Sequence, residues 1–131
     1  MTSTLGPVYI LADLISSCGT RGAVLVSRGA LDTARIDFGL RTDVEVMEFI
    51  NNGGLESPNH QNTAPWENNP NPTQPVPVDS YGFFSGTLYG YVAFFRGPKG
   101  KWVIKSFKKN DRPDPRFLQF QKALSKAGLI K

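Results

Sequence analysis

Between Tyr81 and Phe107 the chain places nine of its fifteen aromatic residues, interleaved with valine and isoleucine. Such residues pack well on a pleated, half-buried surface and poorly in a solvated loop, so this stretch commits the chain to a twisted sheet. It divides into three strands, Tyr81-Gly-Phe-Phe-Ser85, Leu88 to Arg96 and Lys101 to Lys109. Gly97-Pro98-Lys99-Gly100 reads as a four-residue hairpin loop joining the last two. That loop sets Arg96 opposite Lys101, Phe95 opposite Trp102, Ala93 opposite Ile104, Tyr91 opposite Ser106 and Tyr89 opposite Lys108 on one face. The other face then carries Phe94 with Val103, Val92 with Lys105, and Gly90 with Phe107. Phe95, Trp102, Ala93 and Ile104 run without a charge between them and are expected to face the core.

Upstream, Ala23-Val-Leu-Val26 reads as a short buried strand. Ser27 is placed to cap a helix whose apolar stripe is Ala30, Leu31, Ala34 and Phe38, with Gly39 as its stop. Thr42 and Glu45 have the spacing of a reciprocal capping box, opening a second helix with Val46, Phe49 and Ile50 inward. Its Asp43, Glu45 and Glu48 read as a solvated face rather than a catalytic carboxylate pair. Residues 58 to 77 hold six of the ten prolines and five asparagines, which resist helix and central strand alike. The region 54–80 is therefore expected to be one long loop, pinned to the body by Trp66; a linker between two domains is the alternative. Pro113 and Pro115 stop the sheet, and Pro115 opens a last helix with the stripe Phe117, Phe120, Leu124 and Ala127. The expected fold is a single α+β domain over residues 1–131: two N-terminal helices, an antiparallel meander and a C-terminal helix.

One cysteine, Cys18, leaves no intrachain disulfide, and with one histidine, His60, it leaves no Cys/His zinc cluster. No phosphate-binding glycine motif is present, and no metal or cofactor is expected. The apolar run from Val8 to Ile15 contains Asp13 and is far shorter than the roughly 20 residues of a membrane span. A cytoplasmic protein with no membrane partner is expected. Ser16-Ser-Cys-Gly-Thr-Arg-Gly22 reads as a turn or an anion nest.

Charge is divided along the chain. Residues 1 to 95 carry four arginines and nine carboxylates, net −5, whereas residues 96 to 131 carry eleven lysines and arginines against Asp111 and Asp114, net +9. Cations neutralise phosphates and exposed tyrosines stack on unpaired bases, so the last third suits a single-stranded or looped RNA. Lysines as a soluble rim around core aromatics are the competing reading.

The run Gly90-Tyr-Val-Ala-Phe-Phe-Arg96, a glycine turn, Lys101-Trp-Val-Ile-Lys-Ser-Phe-Lys-Lys109, a proline-bearing break and a basic helix together resemble the C-terminal half of HigB-type toxins of the RelE superfamily. The resemblance spans residues 88 to 127, and the lysine pair follows Phe107 one residue sooner than is usual there. It implies a messenger-RNA endoribonuclease acting with the ribosome, an antitoxin partner, and metal-independent attack of a ribose 2′-hydroxyl on the adjacent phosphate. Under it Lys108, Lys109 and Arg112 are the expected catalytic residues, with Arg96, Lys101, Lys105, Tyr91 and Arg116 contacting RNA. His60 is an alternative base if the long loop folds over the sheet. A non-catalytic RNA-binding or protein-interaction module using the same basic third, and an interaction protein using the acidic helices, are the alternatives.

Overall fold

The computed structural model describes residues 6 to 128. Helix α1 (Leu11–Ser17) stands where the sequence suggested only an apolar run. Its Leu11, Leu14 and Ile15, with Cys18 just beyond, follow helical spacing, and Leu14 and Cys18 are buried. After strand β1 (Val24–Val26), the Ser27 Oγ accepts the Ala30 amide at 3.1 Å and opens helix α2 (Arg28–Phe38). Gly39 closes α2 in the left-handed conformation, φ 71°, which costs a glycine little. Helix α3 (Asp43–Asn51) begins as the Thr42 hydroxyl accepts the Glu45 amide. The Glu45 carboxylate reaches past Thr42 and takes the Arg41 amide at 2.8 Å, so the reciprocal half of the capping box lies one residue upstream of its usual place. Three helices, not two, therefore precede the antiparallel strands.

Four of those strands form a meander: β2 (Glu56–Pro65), β3 (Pro77–Ser85), β4 (Leu88–Arg96) and β5 (Trp102–Lys109). β1 adds to the far side of β5 in parallel, giving the order β1-β5-β4-β3-β2 and a mixed sheet in place of the all-antiparallel one expected. The long loop at 54–80 is likewise corrected. Ten of its residues are strand β2, and only the stretch from Trp66 to Val76 connects β2 to β3 without strand structure. β2 tolerates Pro58 and Pro65 because it is an edge strand, and its pairing slips between Glu56 and Asn59, where Pro58 supplies no amide.

The hairpin register also differs from expectation. The loop is five residues, 97 to 101, closed by the Gly97 amide on the Lys101 carbonyl, so Arg96 pairs with Trp102, Phe95 with Val103 and Phe94 with Ile104. Ala93 then pairs with Ser106, leaving Lys105 as the extra residue of a β-bulge, and Tyr91 faces Lys108. Phe95 and Ala93 consequently lie on the opposite face from Trp102 and Ile104. Each face of the sheet has its own core. On one, Phe83, Phe94, Ile104 and Phe107 pack beneath the helices with Leu14, Ala34, Val46 and Ile50. Gly90 makes room there, since a Cβ at that position would overlap the Phe83 ring. On the other face, Val78, Ala93 and Phe95 are covered by Trp66, its ring 4.6 Å from that of Phe95, and by Val76 and Tyr9.

Buried Asp79 joins the chain's early residues to the middle of the sheet. Its carboxylate accepts the Val8 amide at 3.1 Å, the Tyr9 amide at 2.7 Å and the Thr63 hydroxyl at 2.5 Å. At the other end, Asp114 caps helix α4 (Pro115–Lys126), whose Pro115 occupies the first turn. Among the described residues, no helix is long and apolar enough to cross a membrane.

Candidate nucleic-acid interface on the open face of the sheet

Trp66 and its neighbours cover only part of the sheet face turned away from the helices. The rest is a groove made of two adjoining depressions that share Asn62, Ser80, Tyr91 and Lys105 as walls. Toward the β5 end it continues over Gln61, Ser106, Lys108, Asn110, Asp111 and Arg112.

The bulge builds this site. Because Lys105 is the unpaired residue, both it and Ser106 reach the groove, while Ile104 before them and Phe107 after them stay in the helix-side core. The bulged backbone is held from behind. The Ser27 hydroxyl donates to the Lys105 carbonyl at 3.0 Å, the Ser27 amide to the Ile104 carbonyl at 3.0 Å, and the Thr33 hydroxyl to the Phe107 carbonyl at 2.6 Å.

The Lys108 ammonium lies 3.2 Å from the Asp111 carboxylate and over the Tyr91 ring. Arg112 is positioned through Asn110, whose side-chain oxygen accepts the Arg112 amide at 3.0 Å. The Asn110 side-chain NH₂ donates in turn to the Gly90 backbone carbonyl at 3.0 Å and to the Gln61 side-chain oxygen, Oε1. The Tyr89 hydroxyl donates to the same Gln61 oxygen at 3.3 Å, lying across Gly82, where any side chain would collide with it. Among the described residues, no carboxylate pairs with the side chain of Lys105 or Arg112.

Four of the eight residues expected to act on RNA thus share the groove: Tyr91, Lys105, Lys108 and Arg112. The other four are not among its walls. Arg96 sits at the β4–β5 hairpin, where it donates to the Gly100 carbonyl at 2.9 Å and covers the Trp102 ring. Lys101 is exposed in that hairpin. Lys109 donates its amide to Asp37 at 2.9 Å, and strand alternation directs its side chain away from Lys108. Arg116 is laid over the Phe84 ring, 3.8 Å from its centroid, and donates to the Gly86 carbonyl at 2.8 Å. That guanidinium also holds the Asp114 carboxyl below the usual carboxylate range.

His60 and Cys18 have other roles. The His60 ring, 2.8 Å from the Thr63 hydroxyl, packs edge-on to Tyr81 on the helix side of the sheet. Cys18 is buried beside α3, and burial pushes its thiol up to about 12. Among the described residues, no group of His, Cys, Asp or Glu is arranged to hold a metal ion.

Sequence reasoning did not single out Gln61, Asn62, Ser80, Ser106 and Asn110. Ser80 shares a β3 face with Val78 and Gly82, opposite Asp79, Tyr81 and Phe83, but all six are buried and no burial contrast marks it out. Gln61 and Asn62 fall in the stretch whose composition reads as loop. The groove as a whole offers three cations against two carboxylates, Glu67 and Asp111, with one aromatic ring and a rim of amides and hydroxyls, a set in which the cations can meet phosphates and the ring a planar base. Comparison with known protein families, with curated proteins and with solved structures finds no match to this chain.

Proposed function

We propose that the groove binds single-stranded RNA, with an unpaired base against Tyr91 and the neighbouring phosphates on Lys105, Lys108 and Arg112. The observation that carries this reading is that three cations and a half-buried tyrosine ring, with Lys108 over that ring, line one groove on the sheet face turned away from the helices. A sheet presenting aromatic rings to splayed bases is a recurrent solution for single-stranded RNA. Binding is favoured over catalysis because the two contacts of the Lys108 side chain, a carboxylate and a π face, are ones an ammonium makes, whereas a general base must be the free amine. The ribosome-dependent endoribonuclease, its RelE-like arrangement and its antitoxin partner form the narrower version of this reading. In that version the acid/base role passes to Lys108 and the phosphate clamp to Arg112, because Lys109 lies outside the groove.

The test is fluorescence anisotropy with a short unstructured RNA. Affinity is expected to fall steeply with salt, and replacing Lys105 and Arg112 together by alanine is expected to weaken it by more than about tenfold. Failure to bind at low salt, or preference for an acidic protein over RNA, overturns the proposal. Primer extension on messenger RNA from a translation extract treated with the protein decides the narrower version: intact messages leave a binding protein, and discrete cuts lost with Lys108→Met make it a nuclease.

A further inference from the structure

Of the two depressions in the groove, the one reaching toward Trp66 differs from its neighbour in what it offers a ligand. Its volume is about 430 Å³, room for a planar base, since small-molecule clefts begin at roughly 300 Å³. Its floor is made of small side chains: Ser80 pairs with Ala93 across β3 and β4, and the two are 4% and 2% exposed. Val78 and Tyr91, each two residues along the same strand faces, rise on opposite sides of that floor. Glu67 is an exposed wall of the same depression, and the residue before it is anchored. The Trp66 amide donates to the Val76 carbonyl at 2.8 Å, and the Trp66 ring packs on Phe95. Among the described residues, no cation forms an ion pair with Glu67. The Ser80 hydroxyl spends its proton on the Asn62 carbonyl at 3.2 Å, which leaves its oxygen as an acceptor. A carboxylate and a hydroxyl oxygen, both acceptors, thus stand beside the Tyr91 ring.

A carboxylate repels a phosphate, so Glu67 turns the phosphates toward Lys108 and Arg112 and leaves this depression to a base. Which base follows from the placing of donors. An ionised carboxylate accepts through two oxygens and donates nothing. Of the RNA bases, guanine alone has two donors side by side on its Watson–Crick edge, the N1–H and the 2-amino group. Adenine and cytosine set their amino group beside a ring-nitrogen acceptor, and uracil sets its N3–H between two carbonyls. We infer that the depression selects guanine, its ring against Tyr91 and its N1–H and 2-amino group donating to the Glu67 carboxylate, with the Ser80 oxygen a further acceptor on the floor. The inference rests on the groove binding single-stranded RNA, and it names the base that RNA must carry.

Anisotropy titrations with a short oligouridine, and with versions carrying one central guanosine, inosine, adenosine or cytidine, test it. Guanosine should bind about tenfold tighter than adenosine or cytidine, within the discrimination of one bidentate contact. Inosine keeps the N1–H, lacks the 2-amino group and should fall between. Glu67→Gln exchanges one accepting oxygen for a donating NH₂ and should bring guanosine, inosine and adenosine within about threefold of one another. Guanosine monophosphate should displace the guanosine strand only in more than about tenfold excess, because a strand reaches several cations at once. Failure of every strand to bind at low salt overturns the RNA reading and this inference with it. Equal affinity for all five strands, an inosine strand equal to the guanosine strand, or a guanosine preference that survives Glu67→Gln overturns guanine selection and leaves RNA binding standing. Displacement by guanosine monophosphate at equal concentration makes a free nucleotide the ligand and overturns the strand.

Discussion

The Lys108 ammonium stands 5.5 Å from the centroid of the Tyr91 ring, its pairing partner across β4 and β5. A cation so placed is held by the ring's electron-rich face and is close to any phosphate attached to a base stacked there. Tyr91→Ala should therefore weaken RNA binding by about tenfold, within the 1–3 kcal/mol typical of a base–aromatic stack. Tyr91→Phe keeps the ring and should bind within about twofold of the parent. Anisotropy titrations at fixed salt measure both, and equal losses for the two variants would place the tyrosine's role in its hydroxyl.

The groove cations separate from the remaining cations of the basic third by salt dependence. Lys105→Ala and Arg112→Ala should each lower the slope of log affinity against log salt by about 0.7, the single-strand value for one phosphate contact. Arg96→Ala and Lys101→Ala, at the hairpin end, should leave the slope unchanged. A slope that responds equally to all four describes diffuse attraction to a basic surface and removes the groove from the account.

Asp79→Ala leaves the Val8 and Tyr9 amides and the Thr63 hydroxyl without their acceptor. Unmade hydrogen bonds in a site of this burial should cost about 3 kcal/mol, read as a lower urea midpoint. Asp79→Asn keeps an acceptor of similar shape and should cost less. Equal stability of the alanine variant and the parent would mean the tie contributes nothing.

Tyr9 and Tyr81 are raised above their ordinary pKa of 10.0, in both cases first by burial and further by the Asp79 carboxylate, while a backbone amide at Arg96 partly lowers Tyr9. The neutral phenols are favoured in the fold, so the folded state binds more protons than the unfolded chain once pH exceeds 10.0. Their contribution to stability is complete below that pH and declines as pH climbs through the raised folded values. Ultraviolet titration should show Tyr9 and Tyr81 ionising above the ordinary phenol value of 10.0, with the urea midpoint falling above pH 10.0. A Tyr9→Phe, Tyr81→Phe variant whose urea midpoint falls with pH as the parent's does would contradict this assignment.

The elements with strong local chemistry were readable. Ser27, Thr42 and Pro115 mark helix starts because caps and proline act within one turn, and the aromatic run from Tyr81 marks strands because its composition suits little else. What escaped reading depends on partners distant in sequence. β2 owes its strand to β3, and its own prolines and asparagines argue against that structure. The bulge at Lys105 follows from both the hairpin loop length and the need to keep Ile104 and Phe107 in one core, a constraint that no short window contains. Tyr91, Lys105, Lys108 and Arg112 were nominated from charge and aromaticity, but separating them from Arg96, Lys101, Lys109 and Arg116 required knowing which face each strand residue takes.

The tie from Asp79 to Val8 and Tyr9, and the place of β1 beside β5, bear on timing during synthesis. A ribosome delivers Val8 some 70 residues before Asp79, and Val24 before its partner Trp102. Helices α1 to α3 thus emerge with their apolar sides bare and stay so until nearly the whole sheet has been made. The acidic side chains of this region, net −5 over residues 1 to 95, give the waiting segment a charge that opposes clumping with other unfinished copies.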